Sequence, residues 1–358
     1  MTSIVRDLYL SADGGIRRRN RYLSLQRALL FRMLRNGYIT PKKITNAAIA
    51  LFRYLARSDI SSAYPILMNF ETWNECNANC TFCRALDGRI YDHNPSGDGV
   101  IQKGQMELED YKKIIDEVKE SLLIAVPYVN GEPLLYKDLF KAIKFTSDRK
   151  IATIISTNGM PLNARNSEAL IRSRLTFIKI AISGMTQETH KIQSRLTNID
   201  RILKNVEQLC QIKNDAKSDL VVMLDFMEYD YNRHEVAIAE GFCNRLKIMF
   251  NVRPGNLHMS TWGEGIGSEP AAPPSTNLCD FPWFAVTVDW DKKLYPCCDH
   301  VSWSQANPID TYTGDSQQIT NIWNGNFMRN FRRIHTTKGR GSIDICKNCH
   351  RSGLAFKE

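Results

Sequence analysis

From Ile66 onward, short apolar runs alternate with stretches patterned for helices, and this alternation limits the fold more than any other property of the chain. The predicted strands are Ile66–Glu71, Leu122–Val129, Ile151–Ser156, Phe177–Ser183, Leu220–Phe226 and Lys247–Val252. Between them, Glu107–Glu120, Lys137–Asp148, Asn166–Ser173, Ile199–Lys213 and Arg233–Cys243 have helical spacing. Successive strand-then-helix units require parallel pairing with helical crossovers, so the fold class is α/β with helices outside the sheet. Periodicity alone does not decide between a doubly wound sheet and a partial (β/α)6 TIM-like barrel.

The flanks read differently. Residues 20–36 put Tyr22, Leu25, Leu29 and Met33 on one stripe, with Leu30 and Leu34 beside it, and Gly37 stops that helix. A second helix opens with Thr40 as N-cap and Pro41 at its first position, and Ile44, Ala48, Leu51, Phe52 and Leu55 form its apolar face. The pair is expected to pack on the body as a helical hairpin; contact with a membrane surface or an acidic partner is the other reading. Ser58 to Pro65 reads as one linker and Trp262 to Asn277 as another. The expected domains are a helical extension over 1–65, a core over 66–262, a linker over 263–278 and a small domain over 279–358. That last domain has a hairpin, Phe284–Trp290 with Lys293–Tyr295, and a helix over Ile319–Ile334.

The net charge of +9 is local: residues 1–65 hold 12 Lys/Arg and 3 Asp/Glu, and the remainder holds 35 of each. No nucleic-acid partner is expected, because no recognition motif accompanies the basic segment. No apolar run is long enough for a membrane span, and Arg6 and Asp7 fall where a signal peptide needs apolar residues, so a cytoplasmic protein is expected. In that compartment ten cysteines point to metal binding or catalysis rather than disulfides.

The first cluster, Cys76-Asn-Ala-Asn-Cys80-Thr-Phe-Cys83, directly follows the first predicted strand. Three thiolates on one loop suit a cubane [4Fe–4S] cluster with one iron left open, whereas zinc needs a fourth donor, for which His93 is the nearest candidate. The C-x3-C-x-aromatic-C pattern, with Phe82 as its aromatic, resembles the signature of the radical S-adenosylmethionine (radical SAM) enzymes. The resemblance implies the partial barrel. It also implies that the open iron chelates SAM, whose reductive cleavage yields methionine and a 5′-deoxyadenosyl radical that abstracts a substrate hydrogen.

Later segments agree in order. Asn130-Gly131-Glu132-Pro133 is similar to the family's G-G-E-P stretch, which implies a SAM-amino contact through Gly131, Glu132 and Pro133. Ser156 and Asn158 end the third predicted strand and Ser183 the fourth, and the resemblance places them, with Arg195 on the SAM carboxylate, at the cofactor. All fall where barrel loops converge, at the carboxyl ends of the strands.

Cys279, Cys297, Cys346 and Cys349 form the second group, and spacing alone leaves structural zinc and a fully ligated [4Fe–4S] cluster open. Together with Pro282-Trp283, Pro296-Cys297-Cys298-Asp299 and Ile322-Trp323-Asn324, they resemble the SPASM or shortened "twitch" domain, which implies one auxiliary cluster here. Cys297 is favoured over Cys298 by its place in the motif. Oxidation or epimerisation of a small polar metabolite such as a sugar or aminocyclitol is the leading expectation, with a reductant such as flavodoxin or ferredoxin. Maturation of a ribosomally made peptide and modification of a lipid are the alternatives, and a metal-stabilised binding protein stands last. Asp225 and Glu228 are candidate acid–base groups, alongside Asp230 and His234. Cys243 is a candidate hydrogen donor that, like Cys210, sits in a helical pattern suited to packing.

Overall fold

The structure is a computed structural model that describes residues 27–80, 85–86, 89–90, 103–255, 278–301 and 307–347. Six strands follow the predicted order: β1 Leu67–Phe70, β2 Ile124–Val126, β3 Ala152–Thr157, β4 Phe177–Ile182, β5 Val221–Glu228 and β6 Met249–Pro254. Each pairs in parallel with the next, as in Ile154↔Phe177 and Ala181↔Asp225↔Asn251. The crossovers carry α3 Leu108–Val118, α4 Leu139–Asp148, α5 Ala164–Arg172, α6 Gln187–Gln193, α7 Ile199–Asp215 and α8 Val236–Leu246. Two further helices, α1 over 27–35 and α2 Pro41–Leu55, precede the sheet.

The sheet does not end with the six units. β7 Ala285–Val288, from the carboxyl-terminal region, pairs in parallel with β1 over four positions, Leu67↔Ala285 to Phe70↔Val288. β8 Lys293–Tyr295 and β9 Asp310–Thr311 then add antiparallel, giving the order β9-β8-β7-β1-β2-β3-β4-β5-β6. The outermost strands do not pair, so the sheet is an unclosed partial barrel with a small carboxyl-terminal domain on one edge.

Alternation along the strands divides the core in two. Met68, Phe70, Ala125, Ile155, Ile178, Val222 and Leu224 face the helices and pack with Tyr111, Ile114, Leu139 and Val206. Leu67, Ile124, Ile154, Phe177, Met223 and Ala285 face inward and close the lower end of the barrel.

The amino-terminal helices cap that lower end; α1 buries Leu29 and Met33 of its expected stripe, whereas the orientation expected of α2 is reversed. Gly37 does end α1, at φ +64, and Thr40 does cap α2 with Pro41 behind it. The inner face of α2, however, is Lys43, Asn46, Ala50 and Tyr54, while Ile44, Ala48, Phe52 and Leu55 are exposed. The reason is the surface beneath. Strand starts present backbone carbonyls, which need donors: Lys43 Nζ donates to Lys150 O, and Arg32 donates to Leu175 O (2.6 Å) and to Thr176 O. Tyr54 meets Trp283 edge-on at 5.5 Å. Tyr22 and Leu25 lie outside the described residues.

Two other expectations are corrected. Ser58 to Pro65 is no loose linker: Ser61 Oγ donates to Trp283 O (2.6 Å), Asn324 Nδ2 to Ser62 O (3.0 Å), and the buried Arg332 to Asp59 O (3.2 Å), Pro282 O and Trp323 O. The helix expected over Ile319–Ile334 is two, α9 Gln318–Trp323 and α10 Asn326–Thr337, broken at Asn324 and Gly325. A Cβ at Gly325 would sit 2.8 Å from Asn321 O, so a glycine lets the chain turn there.

Candidate active site

The loop after β1 carries Cys76 and Cys80 at the carboxyl ends of the strands; Phe82 and Cys83 lie outside the described residues, as does His93. Two N–H groups point at the Cys76 sulfur, Ala78 N at 3.4 Å and Asn158 Nδ2 at 3.7 Å. Cys80 forms an isolated antiparallel bridge with Ser194, whose Oγ is 3.8 Å from its sulfur. The donors aimed at the Cys76 sulfur suit a thiolate.

The turn expected at Gly131-Glu132-Pro133 closes over this loop. Gly131 adopts φ +74, and a Cβ there would lie 2.6 Å from Glu75 O and 2.7 Å from Trp73 O, so only glycine allows the approach. Glu132 N donates to Glu75 O at 2.8 Å. The Glu132 carboxylate is buried and accepts from Thr157 Oγ1 (2.7 Å), Asn158 N (2.8 Å) and Leu134 N (3.1 Å). Burial pushes it up to about 7 despite those donors. The structure therefore uses this carboxylate to fix the turn against the end of β3, with Asn158 bridging onward to Asn77 Oδ1 at 2.8 Å. Ser156 is on β3, in register with Lys179.

Ser183, fully buried at the end of β4, donates to His190 O (3.2 Å) and lies 3.3 Å from Ser194 Oγ. His190 Nδ1 accepts from Ser183 N, so its Nε2–H points at Thr197 Oγ1 (2.8 Å), and burial pulls its pKa down to about 4. Ser183 thus supports the segment that bridges to Cys80. Arg195, the next residue after that bridge, is exposed.

Below the loops the barrel interior is polar. Inward positions above the apolar plug are Asn69, Ser156, Lys179, Asp225, Asn251 and Thr287, with Arg253 one step higher on β6. Asn69 Nδ2 donates to Thr287 Oγ1 (3.1 Å). Asp225 accepts from Asn251 Nδ2 (2.7 Å) and Arg253 Nε (2.8 Å), and Lys179 Nζ stands 3.7 Å away. Burial opposes ionisation of Asp225, but Arg253 and Lys179 outweigh it and hold its carboxyl below the usual range. The carboxylate so held favours its ionised form between the two cations and Asn251.

Glu228 points away from the chamber, in line with Phe226 on the helix side of β5, and pairs with Arg233 at 3.0 Å. Asp230 pairs with Arg233 as well. Cys243 is fully buried in the helix–sheet core, as is Cys210, so neither thiol faces the chamber. Sequence reasoning missed Lys179, Arg253 and Glu71. Glu71, buried at the mouth, accepts from Asn130 Nδ2 at 2.5 Å, and burial pushes it up to about 7. The signal was available: charged residues interrupt otherwise apolar strands at inward positions.

Cys279, Cys297 and Cys346 line one pocket, together with Phe281, Phe331, His300 and His335. Cys298 is not among its lining residues, and Cys349 lies outside the described residues. His300 Nδ1 is 3.1 Å from Cys297 Sγ. Three thiols lining one pocket are the donor type that an iron–sulfur cluster takes.

The sequence model of the Radical SAM superfamily matches residues 70–232, and that of an iron–sulfur cluster-binding domain, SPASM, matches residues 279–350. The chain belongs to the radical SAM superfamily and carries a carboxyl-terminal SPASM domain. Its cofactors are a [4Fe–4S] cluster, SAM and an auxiliary iron–sulfur cluster. Among curated proteins it is similar to an S-adenosylmethionine-dependent nucleotide dehydratase of Flammeovirga pacifica, 29% identical over 38% of this chain and 46% of that one. It is also similar to an AdoMet-dependent heme synthase of Methanosarcina barkeri, 26% identical over 35% of this chain and 33% of that one. The matches thus span less than half of either relative. Among solved structures the fold resembles SuiB of Streptococcus suis, with TM-score 0.57 and 14% identity over 86% of this chain and 77% of SuiB. It also resembles BtrN in complex with AdoMet and 2-DOIA, with TM-score 0.50 and 17% identity over 79% of this chain and 92% of BtrN.

Proposed function

We propose that this radical SAM enzyme dehydrogenates or epimerises a small polar metabolite, such as a sugar or aminocyclitol, held inside the barrel. The polar chamber carries this reading: two cations, Lys179 and Arg253, share one buried carboxylate, Asp225, beneath the cysteine loop. An apolar substrate would desolvate these charged groups without offering them a polar contact, which is costly, whereas hydroxyls or an acidic group would add hydrogen bonds to them.

Cys76 and Cys80, with Cys83, are assigned to the cluster that binds SAM; Cys279, Cys297 and Cys346, with Cys349, are assigned to the auxiliary cluster. When bound, the first cluster and SAM supply a 5′-deoxyadenosyl radical at the mouth of the chamber. The residues' own work is placement. Gly131 lets the turn close on the cysteine loop, Glu132 fixes that turn to β3, and the Ser183–Ser194 contact braces Cys80. The apolar plug of Leu67, Ile124, Phe177 and Met223 keeps water from entering below. A reductant such as flavodoxin or ferredoxin supplies the electron.

The test uses anaerobically reconstituted protein and a deuterated metabolite extract, separated into low-mass anionic, low-mass neutral and peptide fractions. Deuterium appearing in 5′-deoxyadenosine only with a low-mass polar fraction, and lost in Arg253→Gln, supports the reading. Transfer only from the peptide fraction would overturn it.

A further inference from the structure

We infer that the outer face of the amino-terminal helical layer docks on an anionic lipid bilayer. Leu30, Phe31 and Leu34 on α1, and Ile44, Phe52 and Leu55 on α2, are each between 42% and 68% exposed. They follow helical spacing, so each helix presents one apolar stripe outward. Both helices turn their inner faces to the lower end of the barrel, α1 through Arg32 on Thr176 and Leu175, α2 through Lys43 on Lys150. The two stripes therefore point away from the body together.

Charge says what covers them. Between Asp13 and Asp59 the sequence has no Asp or Glu. Arg27, Arg35, Lys42 and Arg57 are exposed around the stripes. Glu120 pairs with Lys42 and Asp219 with Arg32, and the helices themselves contribute only basic charge to the rim. An apolar face with a basic excess around it is the pattern of a helix lying in the headgroup region of an anionic membrane. A second copy would bring the same basic rim against itself, which Coulomb repulsion disfavours. Residues 1–26 add five arginines against two aspartates, so they carry the same sign and do not neutralise the rim.

Among the described residues no helix is long and apolar enough to cross a membrane, so attachment would be peripheral. Because the layer caps the lower end, the mouth with Cys76 and Cys80 points away from the lipid. The bilayer is thus a docking surface and not the source of the substrate.

The full chain is to be sedimented with vesicles of phosphatidylcholine alone and of phosphatidylcholine with phosphatidylglycerol, at low and high salt. Binding is expected only to the anionic vesicles, weakened by salt. Phe31→Ser with Phe52→Ser should abolish it, and each of Arg27→Gln, Arg35→Gln and Lys42→Gln should weaken it by about fivefold. These positions are exposed, so far-UV circular dichroism and SAM cleavage should match wild type, which separates this inference from the proposed reaction. No vesicle binding, binding indifferent to lipid charge, or a dimer or flavodoxin complex dissolved by the Phe31/Phe52 pair would overturn it.

Discussion

At the scale of residues, two positions decide whether the cofactor site forms. Gly131 stands so close to the backbone of Trp73 and Glu75 that any side chain displaces the segment leading into Cys76. Gly131→Ala should therefore cut 5′-deoxyadenosine formation by roughly a hundredfold, in line with a misplacement of about 1 Å. The iron content of the reconstituted variant should fall as well; wild-type iron and cleavage would show that the turn tolerates a Cβ. Glu71 gives a pH signature. Its folded pKa, about 7, is raised above the ordinary 4.5 chiefly by burial. Its contribution to stability is thus present in full below pH 4.5 and lost as pH rises through 7, a change of roughly 3 kcal/mol for a shift of this size. Glu71→Gln should flatten the fall of the thermal midpoint across that window. Glu132, raised by the same cause, keeps part of the slope in the variant.

At the scale of elements, β7 makes the carboxyl-terminal region part of the barrel. Its four-position pairing covers the edge of β1, and without it Leu67–Phe70 would offer unpaired N–H and C=O groups. A chain ending at residue 277 should therefore aggregate, visible as void-volume material in size exclusion; a monomeric, cooperatively melting product would refute this. The six strand–helix units were legible in sequence because each strand is an apolar run and each helix has a 3.6-residue stripe. The β1–β7 pairing was not: Ala285 and Leu67 lie over two hundred residues apart, and hydropathy does not record which edge a strand joins. The face of α2 misled for a related reason. Its apolar side is the obvious core side, but the surface it covers includes the strand-start carbonyl of Lys150, which calls for Lys43, as those of Leu175 and Thr176 call for Arg32 on α1. In the site, the cysteines and the Gly131 turn were legible as motifs. The pairing of Asp225 with two cations was not, because Arg253 and Lys179 reach it from two other strands.

At the scale of the whole molecule, the chain keeps its two thiol sites structurally apart. The first is built from loops at the carboxyl ends of β1 and β3 and from the segment around Ser194. The second is built from segments flanking β7 and β8 and from the end of the chain, and its lining includes none of the first site's residues. Among the described residues the only strand-level link between them is the β1–β7 ladder, which is backbone and does not depend on any cysteine. Removing thiols from the second site should therefore leave the first able to load. In Cys279→Ala with Cys297→Ala, reconstituted protein should retain about four irons of the roughly eight expected for two cubane clusters. Reductant-dependent SAM cleavage should stay within a few-fold of wild type, because Cys76, Cys80, Gly131 and Asn158 are untouched. Cys76→Ala with Cys80→Ala should show the converse, about four irons and no cleavage. Loss of cleavage in the first double variant would mean that the β1 edge communicates the state of the second site to the cysteine loop, through Glu71 and Asn69 at the end of that shared strand.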